Sequence, residues 1–155
     1  MTIDHEIVIE APAEVVWRTI TEPDQIARWF ADEVELDLRP GGKGTFDFQA
    51  RATVKPATVA LVVEVVDPPR RFAFRWGHGP GETPGPGNSV LVDFTLTPEG
   101  NEGDEGERTR LRVTETGVAD LSWSDDDKAG FVDEHNHGWP VHLGDLARLL
   151  AAPAG

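Results

Sequence analysis

Apolar residues alternate with polar ones through the middle of this chain and recur at helical spacing near both ends. The segment IDHEIVI (3–9) places Ile3, His5, Ile7 and Ile9 on one face of a strand. Pro12 follows, where a first helical turn tolerates proline, and Val16, Trp17 and Ile20 share one helical face. A second helix start lies at Thr21-Glu22-Pro23, with Ile26, Trp29 and Phe30 spaced i, i+3, i+4. After Ala31 the period becomes two. Val34, Leu36 and Leu38 come first, and RPGG (39–42) then reads as a turn. Phe46 and Phe48 follow, then Val59, Leu61, Val63 and Val65, and a turn at DPPR (67–70). Phe72, Phe74 and Trp76 make the next strand, then Val90, Val92, Phe94 and Leu96, and last Leu111 and Val113. Residues 77–88 (GHGPGETPGPGN) are too rich in Gly and Pro for regular structure, and 98–107 (PEGNEGDEGE) reads as a mobile acidic hairpin tip.

The pattern gives seven strands, the last six with no helix between them. That favours an antiparallel meander over a parallel sheet. A last helix is expected from Ser124–Asp127, whose acids suit a positive helix N-terminus. Phe131, His135, Trp139, His142 and Leu146 form its stripe, flanked by Leu143 and Leu150. Pro140 with nearby Gly138 predicts a kink or break. The expected fold class is α+β. A curved seven-stranded antiparallel sheet wraps a long C-terminal helix, and two short helices follow the first strand.

A single sheet must cover its apolar face. Where the covering helix stands off from a concave sheet, a cavity remains, lined by alternate strand residues. From the sheet those residues are Phe48, Phe74, Trp76 and Phe94; from the second short helix they are Trp29 and Phe30. From the last helix they are Phe131, His135, Trp139, His142, Leu143 and Leu146, with the histidines, and His5 on the first strand, as the polar groups. The bland alternative is a core filled by these same rings.

The length of 155 residues suits one domain, spanning 1–155, that buries roughly 70% of its extended surface. Fourteen basic and 28 acidic side chains give a net charge of −14, which argues against nucleic acid and anionic membranes as partners. The chain has no cysteine, which excludes disulfides and thiolate metal sites and fits a reducing cytoplasm. The start MTIDHEIVIEAP lacks the pattern of a signal peptide, and the longest apolar stretch, near VALVVEVV (59–66), is too short to span a bilayer.

Little in the sequence points to catalysis. There is no G-x-S-x-G elbow, and Ser89, Ser122 and Ser124 have no evident base. The glycine-rich 77–88 loop lacks the lysine and following helix of a phosphate loop. His135 and His137 point apart on a helix, and His135 and His142 lie about 10 Å apart along it, so no metal site is expected. No cofactor is expected either. A neutral histidine in an apolar cavity could orient a ligand hydroxyl or carbonyl, or move a proton.

The segments APAEVVWRTITEPDQIARWF, RPGGKGTFDF, VVDPPRRFAFRW and GWPVHLGDLARLL resemble, in combination and order, the SRPBCC (START-like, helix-grip) superfamily. Within it they look like the branch named after activators of the heat-shock chaperone ATPase. The similarity spans about residues 3–150. It implies the element order β-α-α-β(six)-α around an internal hydrophobic cavity. Relatives bind lipids, hormones or polyketides, and a few cyclise polyketides; eukaryotic namesakes stimulate the chaperone. The namesakes' separate N-terminal domain is not expected here, the first strand beginning at residue 3. The leading expectation is a non-catalytic binder of a small hydrophobic molecule, monomeric or homodimeric. A heat-shock chaperone partner is the second reading, and a cyclase-like enzyme using His142 or His135 as base is the third.

Overall fold

A computed structural model describes residues 3–48, 57–77, 84–85, 88–99 and 108–150. Most of the glycine-rich 77–88 segment and residues 100–107 of the acidic tip lie outside the described residues. The chain folds as β1 (Ile3–Ile9), α1 (Ala13–Thr21), α2 (Pro23–Ile26), β2 (Glu33–Leu36) and β3 (Lys43–Phe48). β4 (Ala57–Asp67), β5 (Arg71–Gly77), β6 (Ser89–Glu99), β7 (Arg108–Thr116) and α3 (Asp125–Leu150) complete it. A short 3-10 turn at Val118–Asp120, not foreseen from the sequence, leads into α3 after Gly117, whose φ of +104° favours glycine.

The seven strands form one sheet in the order β1-β7-β6-β5-β4-β3-β2, and every neighbouring pair is antiparallel. The predicted meander is therefore present from β2 to β7, and β1 closes it by pairing with β7. A bulge between Val63 and Val65 shifts the β4–β5 register and adds local twist. Alternation sets the two faces. Phe72, Phe74, Trp76, Val92, Phe94, Leu111 and Val113 are buried on the inner one. The outer face carries ion pairs. Arg112 donates to Asp4 at 2.8 and 2.6 Å, and Arg71 donates to Asp93 through two nitrogens. Arg110 bridges Glu6 and Glu99, and Arg75 pairs with Glu64. The hydrogen bond from Arg112 holds the Asp4 carboxyl below its ordinary value of 3.8. That tie is therefore present above this value and fades as the pH falls below it.

α1 and α2 buttress one side of the grip. Thr19 and Thr21 turn their hydroxyls back onto the carbonyls of Val15 and Trp17, and Trp29 Nε1 donates to the Thr19 carbonyl at 2.9 Å. The first turn of α3 is capped by Ser124, whose Oγ accepts from the Asp127 amide at 3.1 Å. Asp125, Asp126 and Asp127 stand at the positive end of the helix, and Arg148 in its last turn.

Of the kink or break expected at Pro140, the break is absent: α3 is one helix over 26 residues. Pro140 itself lies on the exposed face of the helix. Leu38, expected to extend β2, lies beyond its end and is exposed. The chain has the helix-grip fold. No helix among the described residues is long and apolar enough to cross a membrane.

The inner face of α3 buries Phe131, Trp139, Leu143 and Leu146 against the sheet. Leu146 is fully buried. Leu146→Ala should cost about 3 kcal/mol through lost transfer energy and the void left behind, read as a lowered urea midpoint.

Candidate functional site

Aromatic rings meet where α3 faces the concave sheet. Phe30, just after α2, is the hub. It stacks on Trp139 with centroids 5.5 Å apart and an 11° interplanar angle, and on Trp76 at 6.1 Å. Phe46 and Phe48 meet it edge-on, and His142 lies 4.8 Å from it. Phe74 reaches Phe46, Trp76 and Phe94, and Phe94 meets Trp139 edge-on at 5.7 Å. The structure thus brings Phe30, Phe48, Phe74, Trp76, Phe94, Trp139 and His142 into one cluster. Leu143 and Leu146 are buried further along α3. Phe131 and His135 stack on each other nearer the N-terminal end of α3, with centroids 3.8 Å apart. Trp29 packs beside Phe30.

The rings of the cluster touch. A partly open recess of about 370 Å³ lies at the edge of the grip, between the end of α2 and the last turns of α3. Ala27, Arg28, Trp29, Phe30, Ala31, Asp145, Arg148 and Leu149 line it. Of the residues expected to surround a cavity, Trp29 and Phe30 are on its wall. The recess joins side chains more than a hundred positions apart in sequence, which is why spacing alone could not find it. Arg148 pairs with Asp145, and Arg28 donates to Gln25 at 3.2 Å.

Glu115 is the functional candidate that reading the sequence missed. Its side chain is fully buried on the inner face of β7, in phase with Leu111 and Val113. Three groups converge on it. Trp76 Nε1 donates to Oε1 at 3.1 Å, Trp139 Nε1 donates to Oε2 at 2.7 Å, and His135 Nδ1 lies 2.6 Å from Oε2. An indole N–H can only donate, so both carboxyl oxygens act as acceptors. Trp76, paired with Val90 on β6, reaches diagonally across that strand to Glu115, which pairs with Val92. A second polar tie runs from β1 to α3, where His5 Nε2 and Asn136 Oδ1 lie 2.8 Å apart. His5 and His135 therefore both face α3's polar seam. His142 lies at the other end of the stripe, among rings. Among the described residues no cluster of metal-binding side chains is present.

A buried acceptor with three donors is costly to remove. Glu115→Gln turns one acceptor oxygen into a donor, so that an amide N–H faces an indole N–H. It should lower stability by about 2 kcal/mol, and Glu115→Leu by more, because all three donors then lack an acceptor. Urea unfolding followed by tryptophan emission measures both.

The sequence profile of the family described as "Activator of Hsp90 ATPase homolog 1-like protein" matches residues 10–151. No curated protein matches the chain. Among solved structures, protein MLL2253 from Mesorhizobium loti superposes with a TM-score of 0.73 at 23% identity, covering 97% of this chain and 96% of that one. The Aha1 dimer from Colwellia psychrerythraea gives a TM-score of 0.70 at 22% identity, over 100% of this chain and 99% of that one. DynU16, a protein in the dynemicin biosynthetic locus, gives 0.69 at 25% identity over 96% of this chain, which spans just under half (46%) of its length. The likenesses to the first two carry the fold, and the profile match carries the family: this chain belongs to the Activator of Hsp90 ATPase homolog 1-like family.

Proposed function

We propose that this protein binds a small molecule at the edge of the helix grip, in the recess between α2 and the C-terminal turns of α3, with an apolar part against Trp29 and Phe30 and a polar part toward Arg28, Asp145 and Arg148. The observation that carries this reading is the recess itself, about 370 Å³ with Trp29 and Phe30 on its wall. That volume falls within the usual range for small-molecule sites. Phe30 is also the ring on which Trp139 and Trp76 stack. A ligand seated on Phe30 therefore perturbs the aromatic interior behind it, and the remaining rings of the grip form the second layer of the site. A solved relative encoded in a biosynthetic locus, DynU16, supports a small-molecule role.

The family description and the dimeric Aha1 relative support a second reading, a chaperone or a second copy as partner. It ranks lower on surface grounds. The large apolar side chains exposed among the described residues are Val8, Leu38 and Val141. They sit on β1, beyond β2 at the opposite edge of the sheet, and on α3, so they form no single patch of the kind that marks an interface.

Ala27 is exposed and lines the recess without joining the core. Ala27→Trp should fill the space and weaken binding of a hydrophobic dye, or of ligands captured from a lipid extract, at least tenfold while leaving the unfolding midpoint in place. Native mass spectrometry and tryptophan emission follow the binding. Unchanged affinity in a folded Ala27→Trp variant contradicts the reading.

A further inference from the structure

Glu115 and His135 together have the form of an oriented acid–base pair, separate from the recess. The carboxyl of Glu115 is fully buried, whereas the His135 side chain keeps 20% of its surface accessible. The pair is therefore sealed at the acid and open at the imidazole. Three restraints fix the ring. Nδ1 faces Glu115 Oε2 at 2.6 Å, one face stacks on Phe131 at 3.8 Å, and Trp76 approaches at 5.6 Å with an interplanar angle of 89°. Trp76 and Trp139 can only donate, so each oxygen of Glu115 accepts one indole N–H, a pattern that suits a carboxylate, and a carboxylate accepts from its third partner too. With Glu115 as the carboxylate, the proton of the 2.6 Å bond sits on Nδ1, and the neutral ring keeps its lone pair on Nε2, at the edge turned away from Glu115. The nearest polar link on the same seam, between His5 and Asn136, engages the neighbouring residue and not the His135 ring.

We infer that His135 presents Nε2 as a proton acceptor to a ligand carrying a weakly acidic hydroxyl, of the phenol or enol class, with Glu115 as the positioning residue. The step balances within the site. The ligand O–H bond breaks, its proton passes to Nε2, and the oxygen keeps the electron pair as phenolate or enolate. The imidazolium so formed still donates through Nδ1 to the Glu115 carboxylate, which compensates its charge in surroundings that otherwise disfavour it. An imidazole suits this exchange because its ordinary protonation range spans neutrality. The inference goes beyond ligand binding in the recess and stands independently of it.

Two measurements on the full chain test it. Long-range ¹H–¹⁵N correlation of the His135 ring, above the pH at which imidazoles protonate, should show the proton on Nδ1 and a bare Nε2. A ring protonated on Nε2 overturns the assignment. The second uses p-nitrophenol, whose phenolate is coloured, titrated with the wild type and with His135→Asn. The Asn amide can still donate to Glu115, so the fold is kept while the base is removed. The wild type should bind the probe and raise the phenolate absorbance; His135→Asn should bind about tenfold more weakly and raise none. Absence of binding to the wild type, or equal absorbance in the two proteins, contradicts the inference. Ala27→Trp should leave this signal unchanged, so the fate of the recess and that of the Glu115–His135 pair are read separately.

Discussion

The grip is held at its centre by one carboxyl group. Glu115 sits on the apolar face of β7 with no access to water and accepts from an indole on β5 and an indole on α3. One partner, Trp76, comes from β5 and two, His135 and Trp139, from α3, so the group ties α3 to the sheet by directional bonds that apolar packing lacks. Hydrophobic contacts tolerate sliding, whereas hydrogen bonds at 2.6–3.1 Å do not. The aromatic cluster then follows. Once Trp139 and Trp76 are oriented by their N–H groups, their ring faces stack on each other and on Phe30, which closes the side toward α2.

This arrangement divides the protein into a rigid middle and two chemically distinct ends. Toward the C-terminus of α3, Phe30 and Trp29 give way to a recess rimmed by Arg28, Asp145 and Arg148. Toward the N-terminal half of the helix, Phe131 and His135 lie together, and Trp123 meets Phe131 edge-on. The outer face of the sheet is occupied by arginine–carboxylate pairs between neighbouring strands and contributes to solubility more than to stability, since exposed pairs are weak and screened.

Most of the architecture was legible because strand parity is easily read. The alternation of Phe72, Phe74 and Trp76, and of Val90, Val92 and Phe94, points each set to one face, and each set is buried in the fold. Of the helical stripe, Phe131, Trp139 and Leu146 are buried, with Leu143 beside them, whereas His135, His142 and Leu150 are half-buried. Parity also carried the signal for Glu115, two positions beyond Val113. It was overlooked because a carboxylate in a strand of Arg and Thr reads as solvent-facing on polarity alone. The partners that make its burial tolerable come from residues 76, 135 and 139, and that convergence exists only in three dimensions. Pro140 does not break α3, one of the two outcomes its spacing suggested. Its local cost is real, but its place on the exposed face let the helix continue. The recess was invisible for the same reason as the Glu115 knot: it is made by two segments that the chain brings together from far apart.

Hydrogen–deuterium exchange on the wild type and Glu115→Gln tests most directly whether this carboxyl ties helix to sheet. If it does, amides of α3 around residues 131–143 and those at the Trp76 end of β5 lose protection together in the variant, while β2 and β3 stay as protected as before. Unchanged protection of α3 in Glu115→Gln would show that apolar packing alone holds the grip, and would contradict the account.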